Sequence, residues 1–348
     1  MRSAADSGLA ELTGSSADAP ETGTSLSAAE LAPFEAIDRI ATVEMRRKGQ
    51  PGGYISTLYD AARGALPVSY EIAVKLAEPL DRVAIVTGVV EATHFPYGET
   101  DGPVGAFVLA RSLSLAGARP VIYVEDELKA VFGAMSDVSG FTEYELRIVG
   151  ASELLDDPEF GDHQAAELDA AIAVESLGVN GAGVCHTTSG VAYAGPAGPY
   201  GDQLVAAMNG RDKLTIGIGD GGNEIGFGAV REVVRASVPH ASFCGCPCGG
   251  GTAASTATAL LYPVAVSNWG AYAVAAALAL VLDNPELVHT PKSEEVLLSA
   301  AAAAGCRDGV TLDPLPLQDG VAMEASMGVV GILREIMLQA NRSYSRPI

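Results

Sequence analysis

The sequence predicts an α/β protein, a mainly parallel sheet with helices on both faces in three layers, built as a single large domain. Three observations predict it. The runs 82–88, 120–124, 170–174 and 214–218 are almost wholly apolar and strand-length, as expected of strands buried on both faces. Helical patterns alternate with them. Polar residues collect where the strand runs end, and in such sheets ligands bind in the crevice outside the carboxyl ends of the strands.

Taken in order, the first helix is expected over 27–47, opened by Ser27-Ala28-Ala29-Glu30, a capping box with serine and glutamate three apart, and stopped by Pro51-Gly52-Gly53. Helices over 53–65 and from 68 onward precede the first strand, 82–88. A polar loop, 91–103, leads into a helix over 104–116 with Pro103 in its first turn, where proline is favoured. Free N–H groups at such a helix start can take a carboxylate or phosphate, which places Thr100, Asp101 and Gly102 at a ligand site. The other reading of Asp101 is a helix cap.

The strand 120–124 ends in Glu125-Asp126-Glu127, and another strand covers 145–149. An acidic, surface-like run spans 154–162. The strand 170–174 ends at Glu175, ahead of a glycine-rich loop, 178–198, that carries Asn180, Cys185, His186 and Tyr193. A helix over 202–208, the strand 214–218 and a helix over 230–236 follow. A strand over 259–266 ends in Ser267-Asn268-Trp269-Gly270, and helices over 271–282, 293–304 and 323–341 finish the chain.

At 348 residues and 48% hydrophobic content the chain can bury a large core. Its net charge of −22, from 43 acidic against 21 basic residues, argues against nucleic acid or an anionic membrane as partner. No apolar run reaches the roughly 18 residues that span a bilayer. Residues 1–30 hold one base, Arg2, against Asp6, Glu11, Asp18, Glu21 and Glu30, with no apolar core of a secretory signal. They read as a disordered tail, leaving 31–348 as the domain. Five cysteines, an odd number, argue against a disulfide framework and for a reducing cytoplasm.

The central motif is Thr215-Ile216-Gly217-Ile218-Gly219-Asp220-Gly221-Gly222-Asn223-Glu224-Ile225-Gly226-Phe227-Gly228. A strand here delivers Asp220, Asn223 and Glu224 into a glycine turn whose backbone can approach a ligand closely; the alternative is a structural turn whose carboxylates cap a helix. Groups on an open turn are expected to serve chemistry more than packing. Gly217-x-Gly219-x-x-Gly222 also fits a dinucleotide-binding pattern, but the acidic residue wanted about 20 positions later is missing from 241–246. Nicotinamide, flavin and haem are therefore not expected. Asp220 and Glu224 are the candidate catalytic pair, as acid and base or as ligands of a divalent cation such as Mn²⁺ or Mg²⁺, which prefers hard oxygen donors. Thr100, Asp101, Gly102, Glu175, Gly221, Gly222, Asn223 and Asn268 form the candidate substrate-binding set.

Cys244, Cys246 and Cys248 alternate with Gly245 and Pro247. In an extended chain residues two apart lie about 7 Å from each other, too far for one ion without a bend. The spacing is not C-x-x-C and the nearest histidine in sequence is His240, so the triplet reads as a structural or local cluster, with a metal site or a reactive thiol as the alternatives. His186, close to Ser189 and Cys185, reads as a structural loop histidine, and no nucleophilic triad is evident.

Three stretches, Glu99-Thr100-Asp101-Gly102-Pro103-Val104-Gly105-Ala106, the run from Gly217 to Gly226, and Val266-Ser267-Asn268-Trp269-Gly270-Ala271-Tyr272, in this order and separation, resemble the C-terminal catalytic domain of the D-glutamate cyclase family. The resemblance covers roughly residues 34–340. It implies an α/β lyase that converts D-glutamate to 5-oxo-D-proline and water, acting on a small acidic amino acid, either alone or as a homo-oligomer. In the segment after the fourth strand Glu175, Gly178 and Gly183 keep the family's frame, but its arginine is Val179 here and its aspartate Ala182, which leaves the substrate open. Two other readings stand beside it. One is a phosphate- or nucleotide-handling enzyme using the glycine turn and the Pro103 helix start as anion cradles, though no G-x-x-x-x-G-K-[ST] loop is present. The other is a non-catalytic ligand-binding relative.

Overall fold

The computed structural model describes residues 26–342 apart from 46–49, 151–153, 155, 156, 158, 194, 196 and 197. Residues 1–25 of the expected tail lie outside the described residues. Helix α1 (Ala28–Ala41) opens on the expected capping box, with Ser27 and Glu30 bonding reciprocally, but stops at Ala41 rather than near 47. Helices α2 (Ile55–Ala62) and α3 (Val68–Leu76) lead into β1 (Arg82–Thr87). Next come α4 (Pro103–Leu115), β2 (Arg119–Val124), α5 (Lys129–Ser139), β3 (Glu145–Ile148), α6 (Phe160–Glu167) and β4 (Ala170–Val174). A hairpin, β5 (Cys185–His186) with β6 (Ala192–Tyr193), precedes α7 (Tyr200–Asn209) and β7 (Leu214–Gly219). The rest comprises α8 (Arg231–Ser237), β8 (Leu260–Pro263), α9 (Ser267–Val281), α10 (Pro291–Ala303), the hairpin β9 (Leu317–Gln318) with β10 (Val321–Ala322), and α11 (Met323–Ala340).

Six strands form one parallel sheet in the order β3-β2-β1-β4-β7-β8. Counted within this sheet alone, the order doubles back between β1 and β4, which makes their carboxyl ends the topological switch point where a crevice opens. Ile85 pairs with Ile122 on one side and Ile172 on the other. Successive residues face opposite layers: Val83 and Ile85 pack with α4 and α9, whereas Ala84 and Val86 pack with Phe160, Leu204 and Met208 from α6 and α7. Helix α9 is buried along Ser267–Ala279, and its alanines and glycine let it lie close beneath the sheet. Among the described residues no helix is long and apolar enough to cross a membrane.

Two helices went unread in the sequence. In α5, Val131, Phe132 and Met135 are the buried stripe, diluted by Gly133. Helix α6 lies partly inside the run read as acidic surface, although Phe160 and Ala165 are buried. Ser267 to Gly270, read as a strand-end loop, form the first turn of α9.

Candidate active site

The strand ends bring the central carboxylates together. Glu175, directly after β4, is held by Gly88 N donating to its carbonyl at 3.2 Å and by its own N–H donating to Ile218 O at 3.1 Å. This pins it between β1 and β7 in a left-handed conformation, φ 44°, which costs a non-glycine residue of order 1–3 kcal/mol. Its carboxylate accepts from Ser267 Oγ at 2.6 Å.

The Asp220–Glu224 turn is buried, not open. Glu224 Oε1 accepts from Asp220 N at 2.9 Å and Gly221 N at 2.6 Å, so the glutamate closes its own turn. Its Oε2 is buried without a hydrogen-bond partner, as are Asn223 Oδ1 and Thr87 Oγ1. Asn223 Nδ2 donates to His186 O at 2.8 Å. Both glycines are required: a Cβ on Gly221 would collide with Asn223 Oδ1, and one on Gly222, φ 85°, would lie 2.6 Å from Val234 Cγ1.

Asp101 does cap a helix, but the one it caps is α9. Its Oδ2 accepts from Ser267 N at 2.8 Å and its Oδ1 from Asn268 N at 2.7 Å. In return Asn268 Oδ1 accepts from Gly102 N at 2.9 Å and Gly105 N at 2.6 Å, at the start of α4, and its Nδ2 donates to Thr100 O at 3.0 Å. Thr100 Oγ1 donates to Leu317 O at 2.6 Å. The N–H groups that the phosphate reading needed as a cradle are therefore taken by Asn268, with carboxylates around them. Asn268 and Thr100 have their polar side-chain groups engaged within the protein, so of the candidate substrate-binding set they shape the site from behind.

Two carboxylates join that the sequence reading did not assign. Asp319 occupies the tip of the β9–β10 hairpin, where Asp319-Gly320 has φ 50° and 77°. An Asp-Gly pair between two short strands is a strong hairpin signal and could have revealed it. Glu99, buried, lies in the stretch 99–102 and pairs along the backbone with Arg307. Asp308 ties the same segment, accepting from Thr311 N at 2.7 Å and Gly320 N at 2.7 Å.

Burial, and then the neighbouring carboxylates' charges, push Glu99 and Glu175 well above the usual carboxylate range; Asp101 rises with them through burial and the charge of Asp319. Asp220 rises through burial, the charges of Asp319 and Glu175, and a hydrogen bond with Asp319. Glu224 is raised by burial against the opposing pull of the Gly221 and Asp220 N–H groups. Carboxylates packed this way must hold protons or a cation between them. Two overlapping oxygen sets have ligand atoms within 4.8 Å of one another, Glu175/Asp220/Glu224 and Asp101/Asp220/Asp319.

The model matching D-glutamate cyclase-like proteins, C-terminal region, aligns with residues 54–334. The chain belongs to that family. It is also 30% identical over 208 residues to "D-glutamate cyclase, mitochondrial" of Homo sapiens, a match covering 56% of this chain and 32% of that protein. The chain thus spans about a third of the length of that relative.

In this D-glutamate cyclase-like chain, a cleft of ≈ 270 Å³ opens at the ends of β1, β2 and β4, bordered by Gly88, Glu125, Ser176, Val179, Cys185 and Tyr200. It adjoins the carboxylates, since Ser176 follows Glu175 and Leu177 bridges to Glu224. Val179, where the resemblance implies an arginine, is one wall of this cleft, its N–H held by both Asp202 oxygens at 3.2 Å. Ala182, where the resemblance implies an aspartate, is exposed, and its N–H donates to Asn180 Oδ1 at 2.9 Å.

The cysteine triplet forms a local cluster, one of the readings its sequence allowed. The chain bends, so that Cys244, Cys246 and Cys248 bring their sulfurs within 3.2–3.4 Å of one another. The histidine beside them is His186, not His240.

Proposed function

We propose that this chain is a D-glutamate cyclase-like lyase that closes D-glutamate to 5-oxo-D-proline and water. The observation that carries the proposal is the approach of buried Asp220 to half-buried Asp319, beside Glu175 and Glu224, in a chain of this family.

The reaction is a proton relocation as much as a bond exchange. The substrate carries an ammonium and a side-chain carboxylate. As the nitrogen attacks the carboxyl carbon, it loses two protons, and one carboxyl oxygen gains two and departs as water. No proton is consumed overall. A carboxylate that takes a proton from nitrogen and a neutral carboxyl that gives one to oxygen are both needed, and a pair with raised pKa sharing a proton supplies both at neutral pH. Asp220 and Asp319 take these roles, the first presented by the turn after β7 beside Glu175 and the second by the β9–β10 hairpin. Orienting the chain for a five-membered closure lowers the barrier further.

The Glu175/Asp220/Glu224 oxygens, with Glu224 Oε2 lacking any protein partner, fit a hard divalent cation such as Mn²⁺ or Mg²⁺. When bound, such an ion would polarise the substrate carboxyl. A small acidic amino acid is the expected partner. Among the described residues no cysteine is in a disulfide, which suits a reducing compartment such as the cytoplasm.

Incubation with D- or L-glutamate, with and without Mn²⁺ and with no nucleotide, followed by chiral chromatography, tests the proposal. Release of 5-oxo-D-proline from the D-enantiomer above the enzyme-free rate is expected. Equal and blank-level rates for both enantiomers would overturn it.

A further inference from the structure

We propose that His186, Cys244, Cys246 and Cys248 bind one zinc ion as a closed structural site, separate from the carboxylates and independent of the proposed reaction.

The four ligand atoms lie within 4.8 Å of one another. The sulfur separations are 3.4 Å for Cys244–Cys246, 3.3 Å for Cys244–Cys248 and 3.2 Å for Cys246–Cys248, while His186 Nε2 stands 3.2 Å from Cys246 Sγ and 3.5 Å from Cys248 Sγ. A zinc tetrahedron with Zn–S near 2.3 Å and Zn–N near 2.0 Å has S···S edges of about 3.8 Å and S···N edges of about 3.5 Å. Expansion by a few tenths of an ångström therefore admits the ion. These distances are far too long for an S–S bond, near 2.05 Å.

The surroundings also suit a metal. His186 Nδ1 lies 3.0 Å from Val184 O, and donating there leaves Nε2 with its lone pair toward the sulfurs, the tautomer a metal requires. Cys248 Sγ accepts from Gly250 N at 3.4 Å and from Asn180 Nδ2 at 3.4 Å, the N–H···S contacts that stabilise a thiolate ligand. The bend itself depends on Gly251, φ 79°, where any Cβ would collide with the Ala241 carbonyl. Zn²⁺ replaces three thiol protons, which pass to solvent, and the histidine binds neutral. Four protein ligands leave no open position, so the ion is not a Lewis acid for substrate.

Its place explains its use. The His186 hairpin and the 244–251 loop are separated by 60 residues at the His186–Cys246 contact, and both flank the buried turn. Asn180 Nδ2 donates to Gly251 O at 2.8 Å, and Asn223 Nδ2 to His186 O at 2.8 Å, so a zinc ion clamping the two loops holds Asn223 in position beside Glu224.

The test is elemental analysis of the full chain purified without added metal, followed by cobalt exchange. One zinc per chain is expected, retained by Asp220→Asn/Glu224→Gln and by Cys185→Ser, and lost from Cys246→Ser/Cys248→Ser. Cobalt in the unmutated chain should show thiolate-to-cobalt charge transfer and tetrahedral d–d bands, a readout that does not depend on any variant folding. Zinc removal should raise amide hydrogen exchange in 180–193 and 239–251 while the sheet stays protected. A chain free of zinc whose five thiols all titrate, a mass two hydrogens lower from a disulfide within the triplet, cobalt bands without charge transfer, or zinc lost on changing Asp220 would each overturn the proposal.

Discussion

Asp101 and Asn268 cap each other's helices across 167 residues of sequence: the aspartate takes the first N–H groups of α9 and the asparagine those of α4. Both helices begin directly beneath the carboxylate cluster. Their positive ends, which would otherwise be free to hold an anion, are tied to one another.

Asn268→Ala should therefore destabilise the protein by about 2–3 kcal/mol, because it strips acceptors from two buried N–H groups and not only a cap. Chemical denaturation measures it. A loss below about 0.5 kcal/mol, the range of surface changes, would mean water replaces the amide.

Asp220→Asn should lower turnover by about 10²–10⁴-fold, the usual contribution of a positioned acid or base. It should also raise the melting temperature of the chelated protein, since it removes one charge from a crowded, buried set, and charge relief of this kind is worth about 1 kcal/mol. Glu224→Gln should likewise lose activity, but its amide can still accept from Asp220 N and Gly221 N, so the fold survives. Calorimetry with parallel assays separates the two effects. Loss of both activity and stability in Asp220→Asn would make the aspartate a structural element.

The carboxylates' pKa values are raised in the folded state, so they stay protonated in the native chain where the unfolded chain has already ionised. Stability from these groups is complete below about pH 4 and falls as pH rises through the raised values. Without cation, the melting temperature of the unmutated chain should fall relative to that of Asp220→Asn as pH rises from about 4 through the raised values. Mn²⁺ should recover this loss in the unmutated chain at high pH, as a ligand bound only by the native state does. Parallel curves with no response to Mn²⁺ would remove the cation from the site.

Val179→Arg should lower KM for D-glutamate by about tenfold with kcat little changed, since one added charge-assisted hydrogen bond to a carboxylate is worth about 1.5–3 kcal/mol. Steady-state kinetics decides. An unchanged KM would place substrate elsewhere than the cleft.

The parallel sheet was legible because its strands are buried on both faces and so are written as unbroken apolar runs. Asp101, Glu175, Asp220 and Glu224 were legible because each stands at a strand end or helix start. Their partners were not. Whether Asp101 caps α4 or α9 depends on which helix start the sheet brings near, and Ser267-Asn268-Trp269-Gly270 are weak helix formers whose first turn is held by a residue far away in sequence. The openness of the Asp220 turn was misjudged because glycine-rich turns look exposed in sequence, whereas here Val234 and the Asn223 side chain cover it. Asp319 had a local signal in Asp319-Gly320. His186 had none, because only the bend at 244–251 brings the cysteines to it.

The last strand of the main sheet ends at Pro263, yet Asp319 arrives on a hairpin much later in the sequence. During synthesis, the sheet and five of the clustered carboxylates, Glu99, Asp101, Glu175, Asp220 and Glu224, can assemble before the sixth has left the ribosome. A product that stops before residue 319 can thus be folded in its sheet and still lack one carboxyl group of the cluster.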